Sequence, residues 1–224
     1  MSNMVRDFQI RHNSLNLPNS KVLIVDGEDG PNTKNQTKHD MSHLNISDLN
    51  LMFDASGIKR VHWHWTASTY RVTDKVKSHY NHVYDHNGIE YEGGSPAIDQ
   101  ADYSPNGKGV SHTLNANTGA VGLSCVSMAG ADVNWGTSVV SVGEFPITWD
   151  SIDSMLKRTA FYCKLYDIKP SRWTTLTHCE VQTNIGIRQR GKWDIRVLPN
   201  DLFKLLSERQ AGDILRKRMQ EKFF

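Results

Sequence analysis

Two stretches of this chain carry side chains that could hold a metal ion. His178 and Asp194 lie in one run, from Thr177-His178-Cys179-Glu180 to Gly191-Lys192-Trp193-Asp194, and a metal-capable imidazole lies far upstream in His62-Trp63-His64-Trp65-Thr66-Ala67-Ser68. A catalytic zinc takes three protein ligands and keeps its fourth position for water, whose pKa it lowers toward ~7. Two neutral imidazoles and one carboxylate would leave the centre with a net charge of about +1, able to polarise a carbonyl. Lys192, just before Trp193-Asp194, would bring a fixed positive charge to the same pocket. Such a charge suits the oxyanion that develops on an amide carbonyl under attack. The combination points to a zinc hydrolase.

His62 and His64 alternate with Trp63 and Trp65, the pattern of a half-buried strand, so both imidazoles share one face. The small polar Thr66-Ala67-Ser68 after His64 reads as the strand ending in an open loop, where a ligand is reachable, and this favours His64 over His62. Taken singly, each candidate has a plainer role. A strand histidine is usually a satisfied structural group, Lys192 a solvated charge, Asp194 a turn or cap residue, and Tyr80 a packing aromatic. Their joint occurrence is what carries the reading.

The order of His64-Trp65-Thr66-Ala67-Ser68, Ser78-His79-Tyr80-Asn81, Gly119-Ala120-Val121-Gly122-Leu123 and His178 through Lys192-Trp193-Asp194 resembles that of type-2 N-acetylmuramoyl-L-alanine amidases. That family includes phage amidases, bacterial recycling amidases and peptidoglycan recognition proteins. The resemblance spans residues 55–200. It implies a Zn2+ cofactor held by His64, His178 and Asp194, with Tyr80 and Lys192 as catalytic residues and peptidoglycan as substrate. It further implies that His112 and Asn117, in the polar loop Asn106 to Asn117, contact the glycan or stem peptide. Ile195-Arg196 departs from the Pro-Gly or Pro that follows the third ligand in the family, and the loop from His178 is longer than in its compact members.

The elements that must position these groups read as a mixed α/β fold, a central β-sheet flanked by helices. Lys59 to Trp65 is the first core strand. His79 to Tyr84 and Ile89 to Glu92 flank Asp85-His86-Asn87-Gly88, whose Asn-Gly signals a hairpin. Ala120 to Val126 reads as a buried strand, Thr148 to Tyr166 as an amphipathic helix capped near Thr148, and Thr174 to Thr177 as a short strand delivering His178 to a site loop. Upstream, Ser20 to Val25 suggests a strand, Asp26 to Asn32 a turn and loop, and Asn45 to Phe53 a short helix. Asp201 to Phe224 reads as one or two amphipathic helices broken near Ala211-Gly212. The organisation expected is an N-terminal extension (1–54), a zinc amidase domain (55–200) and a C-terminal helical tail (201–224).

With 224 residues, 38% of them hydrophobic, and a net charge of +2, the chain is long enough to bury a core and too evenly charged to imply a nucleic-acid partner. The glycine-bearing loop after Asn106 lacks the Gly-Lys-Ser/Thr of a phosphate-binding loop. Three cysteines without a Cys-x-x-Cys argue against a disulfide framework and for a reducing compartment. Met1 to Arg11 shows neither a secretory leader nor a membrane span. The expectation is a cytoplasmic protein without stable membrane insertion. As a phage endolysin it would reach the wall with a holin-type export helper. A muropeptide-recycling amidase, a non-catalytic peptidoglycan-binding module and a cysteine peptidase using Cys179 or Cys125 are the alternatives.

Overall fold

The computed structural model describes residues 9, 12, 13, 19–24, 30–36 and 57–224. The chain divides into two compact units, Met1–Ser56 with Phe161–Ile168, and Gly57–Ala160 with Lys169–Phe224.

In the first unit, side chains rather than strand ladders satisfy the described backbone. The Leu23 N–H donates to Asn13 Oδ1 at 2.7 Å, Asn13 Nδ2 donates to the Leu23 carbonyl at 2.8 Å, and the Lys21 N–H donates to Gln36 Oε1 at 2.9 Å. The strand expected from Ser20 is therefore absent over 20–24, because these side chains occupy the groups a neighbouring strand would need. Residues 31–36 are helical, so the loop expected through Asn32 ends earlier, at a proline suited to open a helix. The helix expected over Asn45 to Phe53 lies outside the described residues.

The second unit is built on a five-stranded mixed sheet of order β3-β2-β4-β1-β7. Its strands are β1 (Arg60–Trp65), β2 (His82–Tyr84), β3 (Glu90–Glu92), β4 (Ala120–Cys125) and β7 (Thr175–Thr177), and a separate hairpin pairs β5 (Asp132–Asn134) with β6 (Val139–Ser141). Helices α1 (Asp74–Lys77), α3 (His178–Ile185) and α4 (Glu208–Phe223) complete it, together with α2 (Trp149–Leu165) as far as Ala160. β1 lies parallel to both β4 and β7, and β2 is parallel to β4 and antiparallel to β3. The central strands β1 and β4 are almost wholly buried, as their apolar character requires for a sheet covered on both faces.

The strand before the hairpin starts at His82 rather than His79, because the N–H groups of His79 and Tyr80 turn back onto the carbonyls of Val76 and Lys77. The turn itself is organised by Asp85, whose Oδ1 accepts the N–H of Asn87 and of Ile89, each at 2.9 Å. In α2, Thr148 Oγ1 accepts the Ser151 N–H at 3.3 Å, and the stripe Ile152, Met155, Leu156 and Thr159 is buried. Trp63 points to this helix, fully buried, and donates its indole N–H to Thr159 Oγ1 at 2.8 Å. Burying a side chain of that size contributes about 3 kcal/mol, and the hydrogen bond removes the cost of a stranded N–H.

α4 is continuous through Ala211-Gly212. Gly212 is there because a Cβ would overlap the Glu180 carboxylate, so the glycine marks a close approach rather than a break. Ser207 and Gln210 form a reciprocal cap at its start, and residues 201–206 are not helical. Of the basic run Arg216-Lys217-Arg218, Arg216 pairs with Glu180 and Arg218 with Asp153. Two of the three charges are thus neutralised inside the fold, and Lys217 faces Glu221 at 3.7 Å. Among the described residues no helix is long and apolar enough to cross a membrane.

Candidate metal centre

β1 and β7 deliver two of the candidate ligands side by side. Their parallel register pairs His62 with Leu176 and Trp63 with Thr177, so the next step brings His64 level with His178, the first residue of α3. Ligands at the carboxyl ends of adjacent parallel strands are a common arrangement in open α/β sheets. The site loop expected after His178 is instead this helix, started by Thr177, whose N–H and hydroxyl both donate to the Glu180 carboxylate, at 3.0 and 3.1 Å. The chain then returns through Gly186, in the left-handed conformation that ends α3, to Asp194, whose carbonyl accepts the Cys179 N–H at 2.8 Å. That bond ties the third candidate to the helix carrying the second.

His64 Nδ1, His178 Nδ1 and Asp194 Oδ2 form a triangle with all three sides 3.1 Å. All three residues are buried, and they make up a potential metal-binding group. A tetrahedral zinc with bonds of ~2.0–2.1 Å separates its ligand atoms by about 3.3 Å, so the triangle fits such an ion closely. The donor chemistry fits too. Three close contacts among two imidazole nitrogens and a carboxylate oxygen cannot all be hydrogen bonds while the rings are neutral, because a neutral imidazole carries only one N–H. A cation at the centre would satisfy all three lone pairs at once.

Burial, opposed by the Asp194 hydrogen bond and reinforced by the charge of His178, pushes His64 down to about 4. Burial works against ionisation of Asp194, yet the charge and ring nitrogens of His178 and His64 overcome it and hold the carboxyl well below its usual range. At neutral pH the centre thus offers a neutral His64 beside an ionised Asp194, the protonation states a metal needs.

The remaining sequence candidates fall around this triangle. Tyr80 is half-buried just before β2, its ring centroid 5.3 Å from that of His64. Burial and the Asp194 charge push its phenol up, with the Ser124 hydroxyl acting the other way. Lys192 is exposed and lines a cleft of about 700 Å³ together with His178, His112, Asn117, Gln189 and Arg190. Among the described residues no acidic side chain lines this cleft. His112 and Asn117 are both largely buried in its wall. Asn117 Oδ1 accepts the backbone N–H groups of His112 and Thr113 at 3.0 and 2.8 Å, and so shapes the loop. His112 Nδ1 lies 3.2 Å from His64 Nε2, while its Nε2 donates to the Ala120 carbonyl at 2.9 Å. Its ring lies over Gly122 of β4, where any side chain would overlap it.

His62 shares the face of His64 but takes a different position. Its Nδ1 is 3.1 Å from Thr113 Oγ1, and its Nε2 is buried without a hydrogen-bond partner among the described residues. Two members of the surroundings were not legible as site residues. Thr113 Oγ1 sits among His62, His112 and His64. Gln189, buried between two exposed arginines, places Oε1 3.0 Å from His178 Nε2. A glutamine flanked by arginines carries no sequence signal of such a role. The cysteines do not form an alternative centre. All three are buried, with Cys125 and Cys163 pushed up to about 12 and Cys179 raised as well, in each case chiefly by burial. A nucleophilic cysteine needs the opposite environment.

No family model and no curated protein matches the chain. Among solved structures, it is similar to "Endolysine N-acetylmuramoyl-L-alanine amidase LysCS from Clostridium intestinale URNW", at 13% identity and a TM-score of 0.43, over 72% of this chain and 83% of that one. It is also similar to "N-acetylmuramoyl-L-alanine amidase LysC" from the same organism, at 14% identity and a TM-score of 0.42, over 72% of this chain and 85% of that one.

Proposed function

We propose that this protein is a zinc-dependent N-acetylmuramoyl-L-alanine amidase, cleaving the amide between N-acetylmuramic acid and L-alanine in peptidoglycan and working as a phage-type endolysin. The observation that carries this reading is the 3.1 Å triangle of His64 Nδ1, His178 Nδ1 and Asp194 Oδ2 beside an open cleft. The ordered sequence resemblance supplies the substrate class.

Zinc held by these three residues would polarise the scissile carbonyl and acidify a water. Lys192, on the cleft wall, stabilises the negative charge that grows on the carbonyl oxygen. Tyr80 keeps its phenolic proton, and from beside His64 it orients the attacking water as a hydrogen-bond donor. Arg190 and Lys192 give the cleft a cationic lining with no acid beside them among the described residues, suited to the carboxylates of a stem peptide. His112 and Asn117, also in the lining, contact the glycan or peptide.

The test is release of new alanine amino groups from purified peptidoglycan, measured with a chelator and after zinc is restored. Zinc-restored release without new reducing sugar ends is the expected result. Reducing ends without amino groups would assign a glycosidase, and wall binding without any release would assign a recognition module.

A further inference from the structure

Gln189 is buried, and its side-chain amide is held from three directions. Its Nε2 donates to the Leu114 carbonyl at 2.9 Å and to the Ile187 carbonyl at 3.1 Å, while its Oε1 lies 3.0 Å from His178 Nε2. Two carbonyls can only accept, so they fix which end of the amide is nitrogen. The oxygen is thereby turned on His178, and it too can only accept. His178 must therefore carry its proton on Nε2, which leaves the Nδ1 lone pair bare and aimed into the triangle with His64 and Asp194.

We propose that Gln189 is a positioning residue for the metal centre, locking His178 in the tautomer and ring orientation that ligates through Nδ1. The inference rests on the zinc reading given above. It extends that reading to a residue beyond the ligand set, and it accounts for a buried glutamine between Arg188 and Arg190. Gln189 also links the cleft to the centre, because the Leu114 carbonyl it holds belongs to the loop that forms the cleft wall.

Two substitutions separate positioning from mere support of the loop. Gln189→Glu keeps an oxygen acceptor for His178 and loses the donors to Leu114 and Ile187; Gln189→Met loses the acceptor as well. Zinc affinity of the wild type and both variants is measured by competition with a chromophoric chelator. Losing an outer partner of a metal-bound histidine typically weakens binding by about 10–100-fold, and that loss is expected for Gln189→Met alone, with Gln189→Glu close to wild type. Equal weakening in both variants would make Gln189 a loop support, and no weakening in either would remove it from the centre; each outcome overturns the proposal. Should Gln189→Met not fold, 15N shifts of the His178 ring in the metal-free wild type give the same decision. A protonated Nε2 is expected, and a protonated Nδ1 overturns the proposal. A wild type that binds no zinc yet shows His178 protonated on Nε2 would bring down the zinc reading while leaving the tautomer assignment standing.

Discussion

The first turn of α3 feeds two buried charged clusters that differ in one respect. Glu180 faces Arg216, whose guanidinium donates to Glu180 Oε1 at 2.7 Å and to Oε2 at 3.0 Å, with further bonds to the Thr175 carbonyl and Asp213. A permanent planar cation meets a carboxylate in fork geometry, and the lone pairs are filled from within the chain. His178, two positions earlier, faces His64 and Asp194, where ring nitrogens and a carboxylate oxygen converge without an arginine or lysine in hydrogen-bonding contact among the described residues. The first cluster is electrically complete and holds α4 to the sheet. The second leaves its donor atoms turned on one another, an arrangement that a cation from outside would satisfy. Burial is common to both clusters; what differs is whether the chain itself supplies the positive partner.

Removing a ligand should give the largest effect. His178→Ala is expected to lower zinc affinity and amide hydrolysis by at least about 1,000-fold, the several kcal/mol a Lewis acid contributes, while leaving the metal-free fold intact. Isothermal titration and the amino-group release assay check this, and retention of stoichiometric zinc would sink the ligand assignment.

Arg216→Met should show the opposite profile. It strands Glu180 in the interior, so a loss of about 3–5 kcal/mol in urea unfolding is expected, with zinc affinity per folded molecule little changed. A selective loss of zinc without loss of stability would erase the contrast between the clusters.

The smallest of the three effects is a pH dependence of the metal-free protein. His64 is held at about 4 against an ordinary 6.5, so between those values the unfolded chain binds a proton that the folded chain refuses. Stability should therefore fall as pH drops through this window, by about 3 kcal/mol from His64. His62 and His112, both lowered mainly by burial, act with the same sign. Zinc should deepen the acid sensitivity, because protons compete for its ligands. A flat stability profile from pH 6.5 to 4 would mean that His64 is neither buried nor neutral.

The strands of the central sheet and the long helix were legible because each is announced locally, whereas the β5–β6 hairpin was not read and the strand expected from Ser20 is absent. Alternation in Arg60–Trp65, the glycine-bounded apolar run at Ala120–Cys125 and the stripe of Trp149–Leu165 all reflect one-dimensional periodicity. The first and last residues of these elements moved by a few positions, as with His79 to His82, where a turn competed for the same N–H groups. Less legible was what depends on a distant partner. Gly212 reads as a breaker until Glu180 is seen against it, and nothing local in Arg216-Lys217-Arg218 tells that its ends pair with Glu180 and Asp153.

The same division runs through the centre. From sequence come the residue types, the shared face of His62 and His64, and the small polar loop that favours the second. Only the tertiary structure decides that His64 meets His178 and Asp194 while His62 meets Thr113, because that choice depends on where β1 stands in register with β7. Local spacing fixes which side chains share a face, since neighbouring Cβ directions follow from the backbone. Long-range packing fixes which of them converge within 3.1 Å, since that distance is set by strand pairing and helix placement over more than a hundred residues of chain.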